Sequence, residues 1–86
     1  MARRMAVIGA GAWGTALAQT LAVGGRAVTL WANEPDVAET IERTRENRAF
    51  LPGIALHHAI HATSEIGEAG KADAVLAASI FHYGEY

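Results

Sequence analysis

The sequence predicts an α/β fold in which a parallel β-sheet carries helices on both faces. Short apolar runs alternate with longer amphipathic stretches along the chain. The runs are apolar at nearly every position, which is typical of strands that are buried on both faces of a parallel sheet. Glycine or proline marks most of the boundaries between them, as turns require. We expect right-handed crossovers and the strand order 3-2-1-4.

The first three predicted elements form a strand–helix–strand unit. Residues 5–8 form an apolar strand, and the pattern over 13–23 predicts a helix with a narrow apolar stripe. Gly24 and Gly25 end this helix. Residues 27–31 are β-branched and apolar and predict the second strand.

The second half of the chain repeats this alternation less regularly. A second helix is predicted over 35–47, opened by Pro35 and capped by Asn33 or Glu34. Its charged residues, Arg45 included, are interpreted as a solvated face. Further strands are predicted over 58–62 and 74–78, with no more than a short helix between them.

Three glycines follow the first strand with the spacing G-x-G-x-x-G. Gly9 permits the tight turn from strand to helix, Gly11 keeps side-chain bulk away from a pyrophosphate, and Gly14 lets the helix lie close to the strand. The free N–H groups at the start of the helix would face the phosphates. Because a strand precedes the glycines and a helix follows them, the pattern predicts a dinucleotide-binding turn. The fold is therefore expected to be Rossmann-like.

The chain has 86 residues, enough for one small domain. A complete dinucleotide-binding domain uses two βαβαβ halves, so we expect residues 1–86 to be its first half only, a truncated N-terminal NAD(P)-binding domain. A catalytic C-terminal domain is expected to be absent.

Composition and charge exclude several classes of function. Apolar residues make up 51% of the chain and charged residues 19%, as in soluble globular proteins. The net charge of −2 provides no basic surface for nucleic acid. No apolar run is long enough for a membrane span, and no secretory signal pattern is present. A cytoplasmic location is expected.

Beyond the glycines, the sequence resembles the N-terminal part of the NAD(P)-dependent glycerol-3-phosphate dehydrogenases. The stretches that carry the resemblance are residues 9–18, 28–31, 45–47 and 50–53. The resemblance implies an oxidoreductase that interconverts sn-glycerol 3-phosphate and dihydroxyacetone phosphate with NAD or NADP and so supplies phospholipid synthesis. It also implies cofactor contacts at Ala12, Trp13, Asn33 and Phe50, in addition to the glycine loop.

The resemblance supplies no catalytic residue. The family's catalytic lysine belongs to a later helical domain, and Lys71 matches none of the family's lysine motifs. We therefore expect the isolated chain not to turn over.

Three positions depart from the family pattern. Asn33 is uncharged where relatives often carry Arg or His, which leaves the choice between NAD and NADP open, and Asn33 could equally be a helix cap. Phe50 lacks the hydroxyl of the tyrosine that relatives often carry. Residues 79–86 differ from the sequence that follows the fourth strand in the family.

Other residues that could carry chemistry are interpreted as structural. His57, His58 and His61 lie close together, but no carboxylate follows at a matching spacing, so no metal site is predicted. Trp13 is expected to be partly exposed on the turn, whereas Trp31 is expected to pack.

Two functions from different classes remain. The first is the NAD(P)-binding segment of a glycerol-3-phosphate dehydrogenase. The second is a non-catalytic nucleotide-binding or self-associating module, because the fourth strand would leave an apolar edge that could pair with a second copy of the chain and form a homo-oligomer.

Overall fold

The computed structural model describes residues 4–78, which form one parallel sheet and three helices. The strands lie in the order β3-β2-β1-β4, as the sequence predicts. The elements in chain order are β1 (Arg4–Ile8), α1 (Ala12–Val23), β2 (Ala27–Trp31), α2 (Pro35–Thr44), β3 (Ile60–Thr63), α3 (Ile66–Ala69) and β4 (Ala74–Ala77).

The main core lies between the sheet and the two longer helices. Alternate strand residues point to this side, and Val7, Val28, Leu30 and Ile60 are almost fully buried there. Small residues on the inner face of α1, such as Ala18, let that helix approach the sheet closely. The core therefore follows from the strand alternation and the apolar stripe of α1.

Helix α1 ends as the glycine pair predicts. Gly25 has a positive φ of 100°, and its N–H donates to the carbonyl of Ala22. The N–H of Arg26 donates to the carbonyl of Leu21, which completes a Schellman motif. This ending turns the chain directly into β2.

Helix α2 is shorter than the sequence predicts, because it ends at Thr44 rather than near residue 47. Arg45 adopts a left-handed conformation with φ of 59° and turns its side chain back to the protein. Its guanidinium donates to the carbonyls of His57 and Ile60 at 2.7 and 2.6 Å. The interpretation of Arg45 as part of a solvated face was therefore wrong. Its positive charge satisfies carbonyl groups where β3 begins.

Strand β3 begins at Ile60, two residues later than the predicted 58–62. A turn delays it, in which the N–H of Ile60 donates to the carbonyl of His57 and the N–H of Ala59 donates to the imidazole Nδ1 of His57. This use of a side-chain acceptor was not visible in the local sequence pattern.

The second face of the sheet is covered by α3, so the prediction of helices on both faces is confirmed. The helix has one turn, and Ala69 is buried against the sheet. The edge strand β4 has little cover, since Val75 and Leu76 are 51% and 37% exposed. The predicted departure of residues 79–86 from the pattern lies outside the described residues. Within residues 4–78, no helix is long and apolar enough to cross a bilayer.

Candidate cofactor-binding site

A cleft of about 210 Å³ opens at the carboxyl ends of β1 and β2. This edge is where ligands bind in open parallel sheets. The turn after β1 forms one wall, with Gly9, Ala10 and Gly11. The opposite wall contains Trp31, Asn33, Glu34 and Phe50.

Gly9 makes the turn from β1 possible. Its φ is 114°, a value that residues with a Cβ rarely adopt. Its N–H donates to the carbonyl of Trp31 at 3.0 Å, so the turn is joined to the end of β2. Gly14, in the first turn of α1, is buried against the backbone of Gly9 and leaves no room for a side chain. Gly14 thus serves close packing of helix and turn.

The start of α1 is open to an anion. Gly11 occupies the N-cap position with an extended backbone and supplies no side-chain hydrogen bond to the first turn. The first turn also contains no acidic residue. The backbone N–H groups at the start of α1 and the positive end of its dipole therefore favour an anion such as phosphate.

Ala12 and Trp13 follow in this first turn, beside the residues that line the cleft. The side chain of Trp13 is 53% exposed, as predicted for a residue on the turn. Trp31 also agrees with its prediction as a packing residue, because it is half-buried and its indole N–H donates to the carbonyl of Ser64 at 3.0 Å.

Asn33 and Glu34 lie in the short connection between β2 and α2. Glu34, and not Asn33, occupies the N-cap position of α2, and no side-chain cap hydrogen bond forms there. Asn33 is exposed and lines the cleft. This placement argues against the interpretation of Asn33 as the helix cap, and its contact with a cofactor stays a prediction.

Phe50 reaches the cleft from the loop between α2 and β3, and it is 44% exposed. Two residues hold this loop in a tight turn. The N–H of Leu51 donates to the carbonyl of Asn47 at 2.8 Å, and the N–H of Gly53 donates to the carboxylate of Glu46 at 2.9 Å. Gly53 itself has a positive φ of 85°.

Asn47 is the site residue that reasoning from the sequence missed. The sequence pattern places it in the predicted helix over 35–47, but it is buried beneath the glycine turn, where its side chain donates to Thr15 and to the carbonyl of Ala10. The available signal was a neutral amide in a run of charged residues, three positions before Phe50.

The histidines do not meet at one point. The rings of His57 and His58 stack with centroids 4.3 Å apart, whereas His61 lies between the carboxylates of Glu42 and Glu68. In the described part of the chain, no group of three or more His, Cys, Asp or Glu residues is arranged to hold a metal ion. Hydrogen bonds from His61 and then Thr63 lower the pKa of the Glu68 carboxyl.

Comparison with known proteins places these features in a family. A family model described as NAD-dependent glycerol-3-phosphate dehydrogenase N-terminus matches residues 4–82. A glycerol-3-phosphate dehydrogenase [NAD(P)+] from Parvibaculum lavamentivorans is 55% identical over 74 residues, which are 86% of this chain and 22% of the relative. The enzyme of the same name from Rhodospirillum rubrum is 59% identical over 73 residues, which are 84% of this chain and 21% of the relative.

A solved structure shows the same fold. The crystal structure of glycerol-3-phosphate dehydrogenase from Coxiella burnetii superimposes with a TM-score of 0.82 at 30% identity, covering 88% of this chain and 24% of that one. The chain spans about a fifth of the length of the curated relatives it matches. With the family model covering nearly all of its residues, the chain belongs to the family of NAD-dependent glycerol-3-phosphate dehydrogenase N-terminal segments.

Proposed function

We propose that this chain binds NAD or NADP in the cleft, as the dinucleotide-binding segment of a glycerol-3-phosphate dehydrogenase. The observation that carries the proposal is the open start of α1 at one wall of a cleft whose other wall holds a polar side chain and an aromatic ring. The proposed cofactor-binding residues are Gly9, Gly11, Ala12, Trp13, Gly14, Asn33 and Phe50.

The pyrophosphate fits the glycine wall. The close packing of Gly14 on Gly9 brings the first turn of α1 next to the cleft, and Gly11 adds no side chain there. Backbone N–H groups then bind the phosphate oxygens without a charged side chain.

The adenosine part fits the opposite wall. Asn33 can exchange hydrogen bonds with ribose hydroxyls, since its amide both donates and accepts. The exposed ring of Phe50 offers an apolar surface for a planar base. Glu34 lies on the same wall, and its negative charge would disfavour the 2′-phosphate of NADP.

In the parent reaction, sn-glycerol 3-phosphate and NAD(P)+ give dihydroxyacetone phosphate, NAD(P)H and a proton. The reaction is reversible. The nicotinamide ring supplies the hydride chemistry. Lys71, the single lysine of the sequence, follows α3 at the amino end of β4, whereas the cleft lies at the carboxyl ends of the strands. We therefore propose that the 86-residue chain binds the dinucleotide but does not turn over.

Titration of the chain with NAD and NADP, followed by the fluorescence of Trp13 and Trp31, tests the proposal. Gly11→Val should weaken binding at least tenfold, because the side chain would occupy the position of the pyrophosphate. Gly67→Val is the matched control, since a Cβ at Gly67 meets open space. Equal affinities for Gly11→Val and the wild-type chain would refute the assignment. Substrate-dependent NADH formation by the pure chain would refute the absence of turnover.

A second candidate is a non-catalytic nucleotide-binding module that self-associates. It is favoured by Val75 and Leu76, which leave an apolar edge on β4. Such an edge can pair with the same strand of a second copy. Sizing across a concentration series discriminates: concentration-dependent dimers that Val75→Lys abolishes would support self-association, and a monomer at all concentrations would exclude it.

We further propose a cytoplasmic role in glycerophospholipid precursor synthesis for a protein that carries this segment. The family resemblance supports this role. Complementation of a glycerol-3-phosphate auxotroph by a full-length relative into which this segment has been exchanged would test it.

A further inference from the structure

Asn47 uses its whole side-chain amide to join two parts of the candidate site. Its Nδ2 donates to the carbonyl of Ala10 at 2.8 Å and to Thr15 Oγ1 at 2.7 Å. Its Oδ1 accepts a hydrogen bond from the N–H of Phe50 at 3.2 Å. Asn47 is 1% exposed and Thr15 is fully buried. The orientation of the amide follows from these partners, because the opposite orientation would set its oxygen against the carbonyl of Ala10.

We propose that Asn47 is a positioning residue that orients the phosphate-binding turn, an inference that rests on the proposed function. The peptide between Ala10 and Gly11 is trans, and a planar trans peptide directs its C=O and N–H in opposite directions. Because Asn47 holds the carbonyl of Ala10 on the buried side, the N–H of Gly11 faces the other way. Asn47 thus selects which side of the turn presents a donor to the pyrophosphate.

The same side chain sets the spacing of the two walls. Ala10 belongs to the glycine wall, and Phe50 to the opposite wall. One buried amide therefore bonds the backbone of both walls. The bond to Thr15 adds the first turn of α1. Because these hydrogen bonds already order the cleft, ligand binding does not bear the entropy cost of ordering it.

An uncharged amide is the group that this position requires. The carbonyl of Ala10 needs a donor and the N–H of Phe50 needs an acceptor, a pair of requirements that an ionised aspartate cannot satisfy. A carboxylate would also place a buried negative charge beneath a turn that is to hold phosphates. Asn47→Asp is therefore expected to be more damaging than Asn47→Ala.

The test compares ligands with and without a pyrophosphate. Binding of NAD, ADP and adenosine is measured for the wild-type chain, Asn47→Ala and Thr15→Val. Asn47→Ala should weaken NAD and ADP about tenfold, because it releases both the carbonyl of Ala10 and the N–H of Phe50, and should weaken adenosine by a smaller factor, because adenosine depends on the side of Phe50 alone and not on the phosphate donors. Thr15→Val removes one of the three hydrogen bonds of Asn47 and should weaken NAD binding less than Asn47→Ala does. Because this variant keeps Asn47, it still tests the inference if Asn47→Ala folds poorly.

Ile41→Val serves as the control for general destabilisation, because Ile41 is fully buried and contributes to the main core. A ligand-free measurement accompanies the titrations: the ¹H–¹⁵N resonance of Gly11 should shift in Asn47→Ala and remain in place in Ile41→Val. Loss of adenosine binding equal to that of NAD, or an unmoved Gly11 resonance, would overturn the inference.

The two proposals fail differently. If the wild-type chain binds neither NAD nor ADP, the proposed function is wrong, and the role of Asn47 toward a phosphate is wrong with it. If the wild-type chain binds NAD and Asn47→Ala binds it equally well, only the role of Asn47 is overturned.

Discussion

The carbonyl oxygen of Gly9 lies so close to the α-carbon of Gly14 that a Cβ atom on Gly14 would overlap it. The same Cβ would lie 3.2 Å from the side chain of Ala78, the residue that follows β4. The third glycine of the motif therefore joins the turn, the helix and the edge strand.

Gly14→Ala should destabilise the fold by about 1–3 kcal/mol or more, because the neighbouring atoms are backbone and cannot rotate away. The measurement is the urea midpoint followed by circular dichroism. Gly67→Ala is the matched control, with open space at its Cβ, and should be neutral or slightly stabilising. A Gly14→Ala midpoint equal to that of the wild type would contradict the packing seen here.

Asn33→Arg should raise the affinity for NADP relative to NAD about tenfold, because a guanidinium can form charge-assisted hydrogen bonds to a 2′-phosphate. Asn33 lines the cleft next to Glu34, on the wall proposed to hold the adenosine. The ratio of the two dissociation constants is the readout. Asn33→Gln is the uncharged control. If the ratio of the dissociation constants for NADP and NAD is the same in the wild type and both variants, the ribose 2′-phosphate does not bind near Asn33.

Arg45→Ala should cost about 2 kcal/mol of stability or more, since the carbonyls of His57 and Ile60 would each lose a charged donor. Arg43→Ala provides the comparison. Its guanidinium pairs with Glu39 at 2.9 Å, but both side chains are more than 60% exposed, so the loss should stay below about 0.5 kcal/mol. Similar losses from both variants would show that the carbonyl contacts of Arg45 add nothing.

The pH dependence of stability should contain a contribution from Glu68. Hydrogen bonds from His61 at 2.8 Å and Thr63 at 2.9 Å lower the pKa of Glu68 below its ordinary value of 4.5. A carboxyl whose pKa is lower in the folded state stabilises the fold above its unfolded pKa, and this stabilisation is lost as the pH falls through the folded pKa.

Thermal unfolding of Glu68→Gln from neutral pH to about pH 3 would measure this contribution. The variant should be less stable than the wild type near neutrality, and the difference should shrink on acidification below 4.5. Glu65→Gln, at an exposed neighbouring position, is the control. A difference that is constant with pH would show that ionisation of Glu68 does not contribute.

Much of the fold follows from local pattern. β2 was predicted at its observed bounds, and β1 and α1 within one residue at their starts, because strand alternation, helical periodicity and the glycine motif all agree there. Prediction and structure differ after Thr44. The charged run predicts that the helix continues, but Arg45 adopts a left-handed conformation and the helix ends. The start of β3 was displaced for a similar reason, since a histidine side chain replaces a backbone acceptor in the preceding turn.

By itself, the sequence determined the parallel architecture, the glycine turn after β1 and the family resemblance, because each rests on residues a few positions apart. Only the tertiary structure decided that Glu34 rather than Asn33 occupies the cap position, and that Asn47 lies beneath the turn. Asn47 is 37 residues from Ala10 and 32 from Thr15 in the chain. No local spacing encodes such contacts, because they exist only after the sheet has brought the ends of β1 and α2 together.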